Sequence, residues 1–197
     1  MVDMVNEKPT TPGDWFQWDE PDGEWVNYMA MLEEGSNCVP SINPPFSNEG
    51  EMIGAHIHHY MACRLLGKDN SITSMDDLVS ASFYVDNLME KFVDKYVDEV
   101  LGVEAIIKDP DDDEKKIRCD LIAYCKDHDG ECTIIDWKYV GKKFYYENYW
   151  DQMDRYKRAY NDAQVGSFGP LLSRVLVVAI FPSGRISTHA YYGGDIN

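Results

Sequence analysis

Residues 116–140 read KIRCDLIAYCKDHDGECTIIDWKYV, and this stretch predicts the centre of the fold. Lys116–Tyr124 and Cys132–Val140 are rich in β-branched, aromatic and other apolar residues, which favour strands. The segment KDHDGE between them contains an Asp-Gly pair, a strong signal for a hairpin turn. Each strand carries a carboxylate in its middle, Asp120 and Asp136, and a charge inside an apolar strand requires a compensating group. The hairpin therefore predicts both a β-sheet and a functional site at its two carboxylates.

Helical spacing of apolar residues precedes this hairpin, and a helix and a second hairpin follow it. An acidic capping box at Ser74 and a glycine stop at Gly67 mark helix ends. The acidic segment 109–116, DPDDDEKK, is expected to be a solvated loop. The predicted helices span Asn48–Gly67, Ser74 to about Gly102 and Tyr145–Ala163, and the further predicted strands are Val103–Lys108, Arg174–Phe181 and Arg185–Tyr192. The order α-α-β-β-β-α-β-β predicts an α/β or α+β domain, with a mixed central sheet of about five strands flanked by helices.

The chain has 197 residues, of which 44% are hydrophobic, which suits one domain with a sizeable core. Residues 1–49, rich in Pro, Gly, Asn, Trp and acid, are expected to form an irregular acidic N-terminal arm held by its tryptophans. The folded domain is expected to span residues 50–197. We see no signal peptide and no run of apolar residues long enough to span a membrane, and the five cysteines are too scattered for a disulfide framework. We therefore expect a protein that is not secreted, has no membrane partner and is cytoplasmic, or in the host cytoplasm or nucleus if its source is viral.

The net charge of −17 argues at first against nucleic acid as a partner, because proteins that bind phosphates usually carry a basic surface. The charge is uneven, however. Residues 1–137 hold 10 Lys/Arg and 30 Asp/Glu, a net of −20, whereas residues 138–197 hold 8 and 5, a net of +3. The acidity therefore leaves nucleic acid open as a partner. It predicts weak, salt-sensitive binding along one basic strip, from Lys138 to Arg185, with a protein partner for loading as a further expectation.

Paired carboxylates on neighbouring strands suit a hard cation such as Mg²⁺, which keeps several waters and binds phosphate. Lys138 lies two residues beyond Asp136 and so emerges on the same face of its strand. An ammonium group there can hold an attacking water or neutralise charge that develops on phosphate. The triplet alone is weak, because Asp113-Glu114-Lys115 also reads D-x-K. We reject that copy because its acids lie in a hydrophilic segment, with no apolar strand to hold them rigid.

With these residues in place, the chain resembles the PD-(D/E)XK nuclease superfamily. Within it, the chain is similar to the RecB-like exonuclease group, which includes CRISPR-associated RecB-like nucleases. The resemblance covers roughly residues 50–192 and implies a restriction-endonuclease-like core. Four blocks occur in that group's order: Gly54–His58 for its helical G-x-x-x-H, Ile117–Ile122 for the strand of its first metal Asp, Ile134–Lys138 for its I-I-D-x-K strand, and Gln152–Tyr156, continuing to Tyr160, for its Q-x-x-x-Y helix.

The resemblance implies a role for each matching residue. Asp120 and Asp136 would bind the catalytic metal, with His58 and the main-chain carbonyl of Trp137 completing its protein ligands. Lys138 would position or activate the attacking water. Gln152 would orient Lys138 or the scissile phosphate, with Tyr156 supporting the substrate one helical turn further on. Basic residues on the same strip, Lys142, Lys143, Arg155 and Arg158, are expected to bind the DNA backbone.

The resemblance also implies an activity. We expect a deoxyribonuclease dependent on Mg²⁺ or Mn²⁺ that hydrolyses phosphodiester bonds to leave 5′-phosphates, acting as an exonuclease on linear duplex or single-stranded DNA. Recombination, repair and the processing of DNA ends are the expected settings, including viral ones. Iron–sulfur members of the group carry clustered cysteines after the core. Here the last cysteine is Cys132, so no iron–sulfur cluster is expected.

Alternatives stay open at several positions. Asp120, Asp136 and Lys138 could form only a cross-strand ion pair, and Gln152 and Tyr156 could be ordinary surface and packing residues. His56 and His59 are rivals of His58, any of which could simply face the core, and Glu104 is weighed as a further site carboxylate and disfavoured. Cys119, Cys125 and Cys132 are expected to be packed strand residues. At the level of function, a catalytically inactive acidic protein on the same fold could act as a DNA mimic or partner-binding module, while a zinc protein lacks usable ligand spacing.

Overall fold

The computed structural model describes residues 18–19, 25–26, 32–164 and 172–193, and for 18–19, 25–26, 113 and 128–131 only the backbone. Two short strands, β1 (Trp18–Asp19) and β2 (Trp25–Val26), pair with each other in the N-terminal arm. The expectation that tryptophan side chains hold this arm therefore falls outside the described residues. In the part of the chain that is described, no helix is both long and apolar enough to cross a membrane.

The main sheet has five strands in the order β3-β4-β5-β6-β7. The first three strands form an antiparallel meander, β6 is parallel to β5, and β7 is antiparallel to β6. The strands are β3 (Val97–Asp109), β4 (Asp112–Cys125), β5 (His128–Tyr139), β6 (Leu172–Ile180) and β7 (Ile186–Tyr191). The predicted α+β class, the mixed five-stranded sheet and the order of its elements are confirmed.

Helices cover both faces of this sheet. On one face lie α1 (Glu49–Leu66) and α2 (Met75–Leu88), which continues through a π-helical turn over Met89–Val93 into α3 (Asp94–Tyr96). On the other face lies α4 (Trp150–Ala163), preceded by a 3₁₀ turn over Tyr146–Tyr149. Asn48 and Ser74 cap α1 and α2 by accepting hydrogen bonds from the amides of Glu51 and Asp77, and Gly67 ends α1 at φ 62°.

Three predicted boundaries are wrong. The second helix was expected to reach Gly102, but it ends at Tyr96, because the residues from Val97 onward pair with β4. The acidic segment 109–116 is not a loop. It forms a tight turn at Pro110–Asp111 and the start of β4, with Asp109 buried and paired to Arg155. The central hairpin turns at Lys126–Asp127, and a shift in register places the Asp-Gly pair inside β5.

The core has two layers, one on each side of the sheet. Trp137 and Leu121 pack toward α1 and α2, where they meet Ile57 and Leu88. The second layer lies under α4 and joins its buried side chains to Ile134 and to the inner residues of β6. Because both faces are covered, β6 reads as a nearly continuous apolar run, as buried parallel strands do.

The sheet is interrupted where the carboxylates lie. The pairing of β4 with β5 ends at Leu121 and Ile135, beyond which β4 continues only along β3 and β5 only along β6. Asp120 and Asp136 are the next residues on each strand, so the two strands fork at these positions. We call this point the fork. It opens the sheet at one place between rigid strands, which is a suitable position for a site.

Residues 33–37 of the N-terminal arm lie along the outer edge of β3. The amide of Glu33 donates to the carbonyl of Ile106 at 2.8 Å, and the amide of Asn37 donates to the carbonyl of Val103 at 2.8 Å. The side chains of Asn37 and Ser36 accept hydrogen bonds from the amides of Val103 and Ile106. The arm therefore covers an edge strand that would otherwise expose unpaired backbone groups.

Candidate active site

Asp120 and Asp136 lie at the fork and are 7% and 2% exposed. The Trp137 amide donates to Oδ2 of Asp120 at 2.6 Å. Trp137 lies beyond the fork and therefore has no backbone partner on β4. The Asp120 side chain therefore takes the place of a backbone carbonyl. This bond fixes the carboxylate and leaves its other oxygen, Oδ1, for other partners.

His58 reaches the fork from α1. Its Nδ1 is 3.1 Å from Oδ1 of Asp120 and 3.9 Å from Oε1 of Glu104. Ligand atoms of His58, Glu104 and Asp120 all lie within 4.8 Å of one another. An imidazole and two carboxylates are a donor set that suits Mn²⁺ or Mg²⁺. Asp136, which the resemblance implied as a ligand, is not in this group, and its two oxygens face Lys138 and Tyr156.

Glu104 belongs to this cluster, although the sequence reasoning disfavoured it. It is 3% exposed, and its φ of 49° is a left-handed conformation that residues other than glycine rarely adopt. Val103 and Ala105 on either side of it pack in different core layers, so the normal alternation of the strand is broken here. The only signal in the sequence was an acidic residue in an otherwise apolar strand.

Lys138, Tyr156 and Gln152 converge on Asp136. The Lys138 ammonium is 2.7 Å from Oδ2 of Asp136, and the Tyr156 hydroxyl donates to Oδ1 at 3.3 Å. The Gln152 amide donates to the Tyr156 hydroxyl at 2.6 Å. The link of Gln152 to the site therefore runs through Tyr156 and Asp136, whereas the resemblance implied a direct role toward Lys138 or the substrate.

Burial and mutual repulsion disturb the ionisation of the cluster. Burial, reinforced by the charge of Asp120, raises the pKa of Asp136 to about 6 and that of Glu104 to about 7. For His58, burial lowers the pKa, but the nearby carboxylates, Asp120 first, outweigh it and raise the pKa to about 9. Burial also lowers the pKa of Lys138, but the charges of Asp136 and Asp120 outweigh it, so this pKa is raised overall. Arg118 adds a third positive group, because its Nη1 is 3.5 Å from Oε2 of Glu104. With His58 protonated, the three carboxylates face three cations, and a divalent ion bound here would take the place of the His58 proton.

The other two histidines of α1 lie elsewhere. Nδ1 of His59 is 2.7 Å from the Pro40 carbonyl, and its Nε2 accepts from the Ser71 amide at 3.2 Å, so this ring joins two loops. His56 is buried, edge-on to the Phe46 ring. The five cysteines are unpaired, and Cys119, Cys125 and Cys132 are buried in strands as expected.

Two of the four predicted DNA-binding residues are already paired with acids. Arg155 pairs with Asp109, and Arg158 pairs with Asp111 at 2.6 Å and Asp154 at 2.9 Å. Lys142 and Lys143 are exposed, and neither has an acidic partner among the described residues. Of the four residues expected to bind the DNA backbone, Lys142 and Lys143 are therefore the two whose charge is not compensated by an acid among the described residues.

No model of a known protein family matches the chain, and no curated protein sequence matches it.

Proposed function

We propose that this protein is a metal-dependent nuclease that hydrolyses the phosphodiester bonds of DNA. The observation that carries the proposal is the set of groups gathered at the fork. Three buried carboxylates and an imidazole lie beside a lysine ammonium, on rigid elements from four parts of the chain. A cross-strand ion pair alone would require neither Glu104 nor His58 at this position. The likeness to PD-(D/E)XK nucleases supports the same reading.

His58, Glu104 and Asp120, with Asp136 beside them, would hold Mg²⁺ or Mn²⁺. The bound ion would supply a Lewis acid for the phosphate and lower the pKa of a water molecule. The role of the Trp137 carbonyl as a further ligand stays a prediction. The Trp137 amide already contributes by fixing Asp120 through its hydrogen bond.

Lys138 is positioned to act on the reacting phosphate and water. Its ammonium is held by Asp136, and it can donate hydrogen bonds to an attacking water or to phosphate oxygens as negative charge increases there. Tyr156 and Gln152 hold Asp136 from the side of α4 and thereby fix the orientation of Lys138. Release of a 5′-phosphate and exonuclease action are part of the proposal and follow from the family likeness.

The test is a cleavage assay with linear duplex, single-stranded and circular DNA in Mg²⁺, Mn²⁺ or EDTA. We expect cleavage only with metal, and a loss of roughly 10²- to 10³-fold for Lys138→Ala, the usual effect of removing a charge-stabilising donor. Lys115→Ala is the matched control, because Lys115 ends the other D-x-K triplet and lies exposed on the acidic hairpin. Cleavage that persists in EDTA or in Lys138→Ala would contradict the mechanism.

A DNA mimic is the second candidate. The observation that favours it is the pairing of Arg155, Arg158 and Arg174 with acids, in a chain of net charge −17. If no DNA is cleaved under any metal condition, and the protein displaces DNA from a DNA-binding partner, the mimic replaces the nuclease.

A further inference from the structure

The connection between β5 and α4 is unusually aromatic. Residues 142–150 read KKFYYENYW and contain five aromatic residues and two lysines. We call this stretch the aromatic segment. Tyr145 is 54% exposed and Tyr146 36% exposed, so the rings are not placed there only to fill the core. Large rings clustered on a surface indicate contact with a ligand or partner.

Four of these five rings form a row together with His189 of β7. Tyr149 stacks on Phe144, with ring centres 5.4 Å apart and planes at 18°. The His189 ring is 5.0 Å from both Phe144 and Tyr146, and it is nearly parallel to Tyr146 at 13°. Tyr146 also contacts Trp150 at 5.6 Å. The exposed ring of Tyr146 is therefore held in place by the His189 ring. It loses little conformational freedom when a further ring stacks on it.

The row begins at the candidate active site. The Lys138 ammonium is 5.6 Å from the centre of the Tyr149 ring, at the end of the row nearest the fork. Lys142 and Lys143 are exposed at the start of the same segment. A phosphate backbone that passes Lys138 would thus have two lysines and a row of rings within reach.

We propose that the aromatic segment is a stacking platform for unpaired bases, so that the site takes single-stranded DNA. This inference rests on the nuclease function proposed above. Unpaired bases expose their faces, and aromatic side chains beside positive charge are the usual means of binding them without sequence preference. In a duplex the same faces are covered by neighbouring base pairs, so stacking favours single strands.

The test measures binding in EDTA, where cleavage plays no part. Fluorescence anisotropy compares a labelled oligothymidylate, an abasic strand with the same number of phosphates, and a duplex of equal length. We expect the oligothymidylate to bind most tightly. Tyr146→Ala should weaken binding of the oligothymidylate roughly 5- to 150-fold, the usual effect of losing one stacking ring. It should leave binding of the abasic strand unchanged. Tyr146→Phe should bind as the native protein does, and Phe83→Ala, which removes an aromatic residue 48% exposed on α2, is the control.

Several outcomes would overturn the platform. The first is that the oligothymidylate and the abasic strand bind with equal affinity. The second is that Tyr146→Ala loses the same affinity for both strands. The third is that the oligothymidylate does not bind in EDTA. If Tyr146→Ala does not fold by circular dichroism, Tyr146→Leu, which removes the ring but keeps an apolar side chain, is measured in the same way. The cleavage assay separates the two proposals. If the protein binds bases but cleaves no DNA, the platform stands and the nuclease proposal is wrong. If the native protein and Tyr146→Ala cleave all forms of DNA equally, the nuclease proposal stands and the platform is wrong.

Discussion

Glu104 is the residue at which backbone conformation and site chemistry are most closely joined. Its left-handed φ of 49° costs a residue with a side chain about 1–2 kcal/mol. The backbone groups of Val103 and Ile106 on either side are held by hydrogen bonds to the arm. Such a conformation persists only where its surroundings enforce it, and it is concentrated at functional sites. Here it turns a buried carboxylate toward His58.

Metal binding should depend on pH through the protons that the cluster holds. Burial raises the pKa of Glu104 to about 7, and the carboxylates around buried His58 raise its pKa from the usual 6.5 to about 9. Both pKa values lie above those of the unfolded chain, so their contributions to metal-free stability decline as pH rises through about 7 and about 9. Because a bound ion must replace these protons, we expect Mn²⁺ to raise the melting temperature more at about pH 9 than at about pH 6.

The melting temperature with and without Mn²⁺ is compared between the native protein and Glu104→Gln at both pH values. Glu114→Gln, on the exposed hairpin, is the control. Glu104→Gln should bind Mn²⁺ more weakly at every pH, and Glu114→Gln should behave as the native protein. A stabilisation by Mn²⁺ that is independent of pH would show that His58 and Glu104 do not bind the ion.

At the scale of elements, the segment 33–37 acts as a brace for the strand that carries Glu104. Asn37 is central to it, because its side chain accepts from the Val103 amide at 2.8 Å while its own φ is 54°. Asparagine tolerates this left-handed conformation better than alanine does. The brace therefore depends on one side chain for both a hydrogen bond and a backbone shape.

Asn37→Ala should lower the free energy of unfolding by about 2 kcal/mol, from the lost hydrogen bond and the strain together. It should also weaken Mn²⁺ binding, because Glu104 loses its support. Urea denaturation and calorimetry measure the two effects. Asn70→Ala removes a comparable bond to the Ile72 amide away from the site and should leave Mn²⁺ binding unchanged. Unchanged stability in Asn37→Ala would rule out the brace.

Two ion pairs join the β3–β4 hairpin to α4, and they differ in burial. The Asp109 side chain is fully buried against Arg155, whereas Asp111 is 56% exposed in its pair with Arg158. Asp109→Ala should cost about 2 kcal/mol, because hydrogen bonds to a buried charge are lost. Asp111→Ala should cost clearly less than Asp109→Ala, because solvent screens an exposed pair. Equal costs in thermal or urea unfolding would contradict this ranking.

At the scale of the whole molecule, folding brings the two differently charged parts of the chain together. The basic side chains of Arg155, Arg158 and Arg174 pair with Asp109, Asp111 and Asp127 from the acidic part. The surface is therefore less divided in charge than the sequence is. Lys142 and Lys143 stand out because they keep their charge exposed at the start of the aromatic segment.

The salt dependence of DNA binding tests this view of the charge. For single strands, the slope of log affinity against log salt is about 0.7 per phosphate contact, so replacing both Lys142 and Lys143 with alanine should reduce it by about 1.4. Arg158→Ala should change the slope little, because Asp111 and Asp154 already compensate that charge. Anisotropy titrations at several salt concentrations in EDTA give both slopes, and a larger change for Arg158→Ala would reverse the assignment.

The local features of this protein could be predicted from its sequence. Periodicity identified the helices and strands of the five-stranded domain, and short-range signals placed Gly67 and Ser74 at helix ends. Carboxylates inside apolar strands identified Asp120 and Asp136, because a buried charge is unusual wherever it occurs. These inferences hold because each depends on residues within one element.

How these elements meet depends on contacts between residues that lie far apart in the sequence. The end of the β4–β5 ladder created the fork, and the left-handed turn at Glu104 brought in a carboxylate that the pattern had disfavoured. The packing of α1 separated His58 from His56 and His59, and ion pairs withdrew Arg155 and Arg158 from the basic strip. Strand register, bulges and ion pairs involve residues that are far apart in the sequence. Their free energy comes from packing between elements, so the spacing of residues within one element does not predict them.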